Sequence, residues 1–90
     1  MLARLATFDS VPADVDDPNV KLLRETISGT PGFVAGFHLR DPQTGKAFSL
    51  SVYEDADAAK AAGQRMQARP ADERVGVDPD SVQWLEARPF

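Results

Sequence analysis

Two stretches near the middle of the chain alternate cleanly between apolar and other positions. Phe33 to Arg40 sets Phe33, Ala35, Phe37 and Leu39 on one side and Val34, Gly36, His38 and Arg40 on the other. Ala47 to Tyr53 sets Phe48, Leu50 and Val52 against Ser49, Ser51 and Tyr53. A period of two is that of a strand. Asp41-Pro42-Gln43-Thr44-Gly45 lies between them, where proline presets one φ and glycine accepts a positive one. Together they predict a β-hairpin. Met1 to Phe8 and Ser81 to Arg88 alternate more loosely and are expected as the first and last strands.

Helical spacing fills the gaps. Asp17-Pro18 offers an N-cap acceptor and a proline at the first helical position. Val20, Leu23 and Ile27 then form a stripe, and Gly29 is expected as the C′ residue that ends the helix. Glu54, Asp55 and Asp57 open a second helix whose inner stripe is Ala59, Ala62 and Met66. Arg65 and Arg69 suit its C-terminal end, and Pro70 stops it. Ala71 to Asp80 reads as a charged loop around Val75-Gly76-Val77.

The order is β-α-β-β-α-β, that of a ferredoxin-like α+β domain: a four-stranded antiparallel sheet with two helices on one face. The other face then needs water or a second subunit. Leu2, Ala6, Phe8, Val34, Val82 and Trp84 are assigned to it, and so apolar a patch favours a partner sheet. On this assignment the partner face is also where any pocket lies.

Composition narrows the options. Ninety residues make one domain, 1–90, and such a chain buries only about 60–65% of its unfolded surface. Without cysteine it has no disulfides, thiolate metal sites or thiol nucleophile, so a homodimer is one way to gain the missing burial. Net charge is −4 and the basic residues are scattered, which argues against nucleic acid. Glycine apart, no apolar run is longer than Phe33-Val34-Ala35, far too short for a membrane span. With no signal-peptide pattern, the expected location is the cytoplasm.

The segment Pro31-Gly32-Phe33-Val34-Ala35-Gly36-Phe37-His38-Leu39-Arg40 resembles the second strand of the antibiotic biosynthesis monooxygenase family. Val52-Tyr53-Glu54-Asp55-Ala56-Asp57-Ala58 is similar to the acidic helix start that follows the hairpin there. The resemblance implies a dimeric α+β barrel in which two sheets face each other, with a pocket in each subunit. It implies oxygenation of a small planar aromatic or polyketide-like substrate with no cofactor. One branch of the family degrades heme, using an asparagine on the first strand and a histidine near the second helix. This chain has neither, so that activity is not implied.

Within that frame His38, the sole histidine, is the candidate base or hydrogen-bond partner, against a plain rim role. Tyr53 is grouped with it as catalytic. Trp84 would stack on a planar substrate, although packing in the dimer interface is the preferred alternative. Arg4 could hold a carboxylate or enolate, or pair across strands with Glu86. Ser51 joins Arg4 and Trp84 as a substrate contact. It lacks the Gly-x-Ser-x-Gly elbow of a nucleophile. One histidine without cysteine gives no metal-ligand spacing. The rival to an enzyme is a non-catalytic dimeric module for small-molecule binding or assembly. A binding site of either kind needs a cavity of roughly 300 Å³ or more between sheet and helices.

Overall fold

The computed structural model describes residues 1–9, 18–70 and 79–90. Its elements are β1 (Leu2–Phe8), α1 (Pro18–Ser28), β2 (Phe33–Arg40), β3 (Ala47–Tyr53), α2 (Ala56–Gln67) and β4 (Ser81–Glu86). The strands form one antiparallel sheet in the order β2-β3-β1-β4. This is the ferredoxin-like α+β architecture expected from the element order. The expected cap residue Asp17 and the Val75-Gly76-Val77 loop lie outside the described residues.

Local chemistry accounts for the boundaries. Asp41 accepts from the backbone N–H of Gln43 at 2.8 Å, and its backbone N–H donates to the Lys46 carbonyl at 2.8 Å, so the residue closes the hairpin turn at both ends. Gly45 supplies the positive φ of 78°. Asp55 caps α2, accepting from Ala58 N–H at 2.8 Å. Gly29 directly follows the last residue of α1, as expected, but without the positive φ of a C′ glycine. Its N–H still donates to the Glu25 carbonyl at 3.0 Å, and the residue that turns to positive φ is Gly32, at 89°. There the Cβ of Ala58 stands 2.6 Å from where a Gly32 Cβ would be, so α2 sits directly on this turn.

The core is small. Tyr53 packs with Ala58, Ala59 and Ala62 of α2, and Leu2, Ile27 and Phe33 close around them. The Phe33 and Tyr53 rings meet edge to face at 6.0 Å. A bulge between Phe33 and Ala35 makes this contact possible. Strict alternation separates Phe33 from His38, whereas the bulge sets Phe33 beside Tyr53, on the face that Gly36 and His38 share. At one end a polar clasp ties the helices together. Arg69 donates to Thr26 Oγ1 at 2.7 Å and Arg65 to Thr30 Oγ1 at 3.3 Å, while both hydroxyls donate back into α1 carbonyls.

Pairing register settles which face is which, and it reverses the sequence assignment. Leu2 stands opposite both Tyr53 and Glu86, Arg4 opposite Ser51 and Trp84, and Ala6 opposite Ser49 and Val82. Because Leu2 and Tyr53 pack on the helices, Ala6, Phe8, Val82 and Trp84 face the helix layer too. They do not form the uncovered face. That face carries Leu5, Phe37, Leu39, Phe48, Leu50, Val52 and Leu85. Phe37 is 59% exposed there, and Leu39 and Leu85 are also exposed. Alternation defines two faces but does not say which one the helices cover.

Candidate functional site

Small residues keep the helix layer from filling the space above the sheet. Ala6, Gly36, Ser49 and Ser51 form much of the floor, and Ala59, Ala62 and Gly63 face them from α2. Among the described residues no large side chain is fully buried. The helices rest mainly on β2 and β3, leaving the β1–β4 side of the floor less covered. The result is a half-open cleft of about 1040 Å³ between sheet and helices. This lies at the upper end of the roughly 300–1,000 Å³ usual for small-molecule sites.

All five residues singled out from sequence line this one cleft: Arg4, His38, Ser51, Tyr53 and Trp84. They come from all four strands, and the pairing register brings them to a common face. Arg4 is half-buried between the buried Ser51 and Trp84. It makes no ion pair with Glu86, which stands opposite Leu2, one step along the sheet face. Trp84 is 51% exposed on the cleft side of edge strand β4, not on the bare face where a partner sheet would sit.

Tyr53 is only 3% exposed, its ring held by Phe33 and α2, yet its phenol makes no hydrogen bond with the described residues. It therefore belongs at once to the core and to the cleft wall. His38 lies farther out, opposite Ser49 on β3, and is exposed. Burial, and next the charge of Arg24 on α1, lower its pKa below the ordinary 6.5, so the imidazole is neutral at pH 7 and can accept a proton. No described side chain hydrogen-bonds either ring nitrogen.

Sequence reasoning missed several wall residues. Phe8 was assigned to the partner face, and Arg24, Arg40, Lys60 and Met66 were not given a site role. The available signal was the run of small residues on one sheet face, since a floor of Ala, Gly and Ser cannot fill the gap beneath a helix. Among the described residues no cluster of three or more His, Asp or Glu could hold a metal, and no helix is long and apolar enough to cross a membrane.

A four-stranded antiparallel sheet with a ligand-sized cleft under two helices defines a ferredoxin-like domain of the kind found in antibiotic biosynthesis monooxygenases. Solved structures share this fold over nearly the whole chain. One antibiotic biosynthesis monooxygenase superposes with a TM-score of 0.66 at 19% identity, over 99% of this chain and 100% of its own. SnoaB of Streptomyces nogalater, a cofactor-independent oxygenase, gives 0.64 at 20% identity, over 99% and 91%. The monooxygenase ActVA-Orf6 of Streptomyces coelicolor, solved with nanaomycin D, gives 0.61 at 14%, over 99% and 88%. No family model and no curated protein matches the chain in sequence.

Proposed function

We propose that this chain is a cofactor-independent monooxygenase of the antibiotic biosynthesis monooxygenase family, acting as a homodimer on a small planar aromatic or polyketide-like substrate. The observation that carries the proposal is the convergence of His38, Tyr53, Arg4, Ser51 and Trp84 on one cleft. The structural likeness to SnoaB and ActVA-Orf6 supports it at the level of fold.

In this reading the neutral His38 accepts a proton from an acidic C–H or O–H of the substrate. The resulting carbanion or phenolate supplies the electrons to dioxygen. A C–O bond forms, the proton returns to give a hydroperoxide, and loss of water with a second substrate hydrogen leaves a carbonyl. One oxygen atom enters the product and the other leaves as water, so no further reductant is needed. Tyr53 donates its free phenol to the developing oxygen charge, Trp84 stacks on the ring system, and Arg4 and Ser51 orient it.

The bare face of Leu5, Phe37, Leu39, Phe48, Leu50, Val52 and Leu85 supports the homodimer, because a partner sheet would take these side chains out of water. A binding module without turnover is the competing reading. One observation favours it: no described side chain hydrogen-bonds His38 to fix its tautomer.

Oxygen uptake on a panel of anthrones and naphthoquinols tests the proposal. His38→Ala should lower kcat by about 10²–10⁴-fold, the usual contribution of a general base, and leave the assembly state unchanged. Turnover that survives the substitution removes His38 as the base. Binding without oxygen uptake on the wild-type protein favours the module.

A further inference from the structure

Among the described residues nine Lys and Arg stand against eight Asp and Glu. Yet every charged side chain among the described residues lining the cleft is basic: Arg4, Arg24, Arg40 and Lys60. No described Asp or Glu shares the wall. Among the described residues the charge on the wall is thus of one sign, and the field of such a wall favours anions.

Arg4 gives that field a focus. It is half-buried on the central strand β1, and its register neighbours on the cleft face are Ser51 and Trp84. Among the described residues it has no hydrogen-bond or ion-pair partner, and Glu86, one step along the sheet face, does not pair with it. A guanidinium offers five N–H donors in a fork that fits a carboxylate with two parallel bonds. No Arg4 nitrogen is among the described buried atoms that lack a partner, so its donors stay open to water and within reach of an anionic ligand. Trp84, beside it, provides a flat surface for the ring that bears the charge.

We infer that the cleft selects a planar aromatic acid, with the ligand's carboxylate held by Arg4 and its ring system against Trp84. The inference rests on the reading of this cleft as the substrate site. It narrows the substrate class from planar aromatic molecules in general to those carrying a carboxylate. Arg24, Arg40 and Lys60 raise the local concentration of such anions at the cleft without having to touch them.

A matched pair of probes tests this by calorimetry: 1-hydroxy-2-naphthoate, an anion at pH 7, and 1-naphthol, which is neutral. The wild-type protein should bind the naphthoate about tenfold or more tightly than the naphthol, as expected for a charge-assisted bidentate contact. Arg4→Gln should abolish that advantage, weakening naphthoate binding far more than naphthol binding. Lys46→Gln, on the hairpin turn outside the cleft, should preserve it. A salt series on the wild-type protein needs no variant: the naphthoate advantage should shrink as ionic strength rises. Four results would overturn the inference: equal affinity for the two probes, no measurable binding of either, an equal loss for both in Arg4→Gln, or a preference that Arg4→Gln retains. Oxygen uptake is not part of this test. An Arg4-dependent preference without turnover would refute the monooxygenase proposal alone.

Discussion

Gly32 and Gly45 both adopt positive φ, 89° and 78°, but their surroundings differ, and the pair separates two costs. Around Gly45 an added Cβ meets nothing within 4 Å, whereas at Gly32 it would lie 2.6 Å from the Ala58 Cβ. Alanine at either site incurs about 1–2 kcal/mol for the left-handed backbone, partly offset by roughly 0.4–1 kcal/mol from a less disordered unfolded chain. Gly45→Ala should therefore cost no more than about 1.6 kcal/mol. Gly32→Ala must in addition push α2 off the turn, and overpacking of this kind adds about 1–3 kcal/mol. For a domain of this size the melting temperature should fall by roughly 5 °C in the first case and 10–25 °C in the second. Thermal unfolding followed by circular dichroism at one fixed protein concentration measures both, since a dimer's midpoint shifts with concentration. Equal losses, or a larger loss at Gly45, would refute the packing of α2 on Gly32 that frames the cleft.

Two more predictions concern pH and assembly. NMR titration of His38 should give a midpoint below 6.5, and Arg24→Gln, which removes the second cause of the shift, should raise it; a wild-type midpoint at or above 6.5 would contradict the described environment. The sign for stability follows: between the lowered folded value and 6.5 the unfolded chain binds more protons, so acidification through that window weakens the fold, and the loss is absent at pH 7. Turnover that needs the neutral imidazole should be level above pH 7 and decline below the folded midpoint. For assembly, Phe37→Asp places a carboxylate on the bare sheet face. Sedimentation should show a dimer for the wild type and a monomer for the variant, and unchanged association would exclude this face as the interface.

Much of the fold was legible because local signals agreed with one another. The alternation of Phe33–Arg40 and Ala47–Tyr53 with Asp41-Pro42 and Gly45 between them allows little but a hairpin, and the structure has one. Asp55 and Pro70 bracket α2 as their chemistry requires. What was hidden depended on contacts far apart in the chain. Trp84 and Phe8 face the cleft because β1 pairs with β3 through Leu2 and Tyr53, a register that no local window contains. The bulge at Phe33 shifts one side chain across the sheet without interrupting an apolar run. Gly29 does follow the end of α1, but the positive φ falls at Gly32, where α2 approaches through Ala58, a contact that no local window contains. The cleft residues were found individually, by their chemistry: the sole histidine, an arginine, a serine, a tyrosine and a tryptophan. Their shared location could be read only after the faces were assigned.

The sheet is one residue thick, so adjacent residues on a strand serve opposite tasks. Phe37 and His38, Leu50 and Ser51, and Trp84 and Leu85 are such pairs, one member on the bare face and the other in the cleft. The two surfaces are thus written in alternate positions of the same short segments. A point substitution can retune the cleft while leaving the contact face as it was, or the reverse. Loss or gain of one residue within β3 would exchange both sets together, sending Leu50 under the helices and Ser51 to the bare face. A lineage exploring new ligands on this scaffold is therefore free to substitute along its strands but confined in their length.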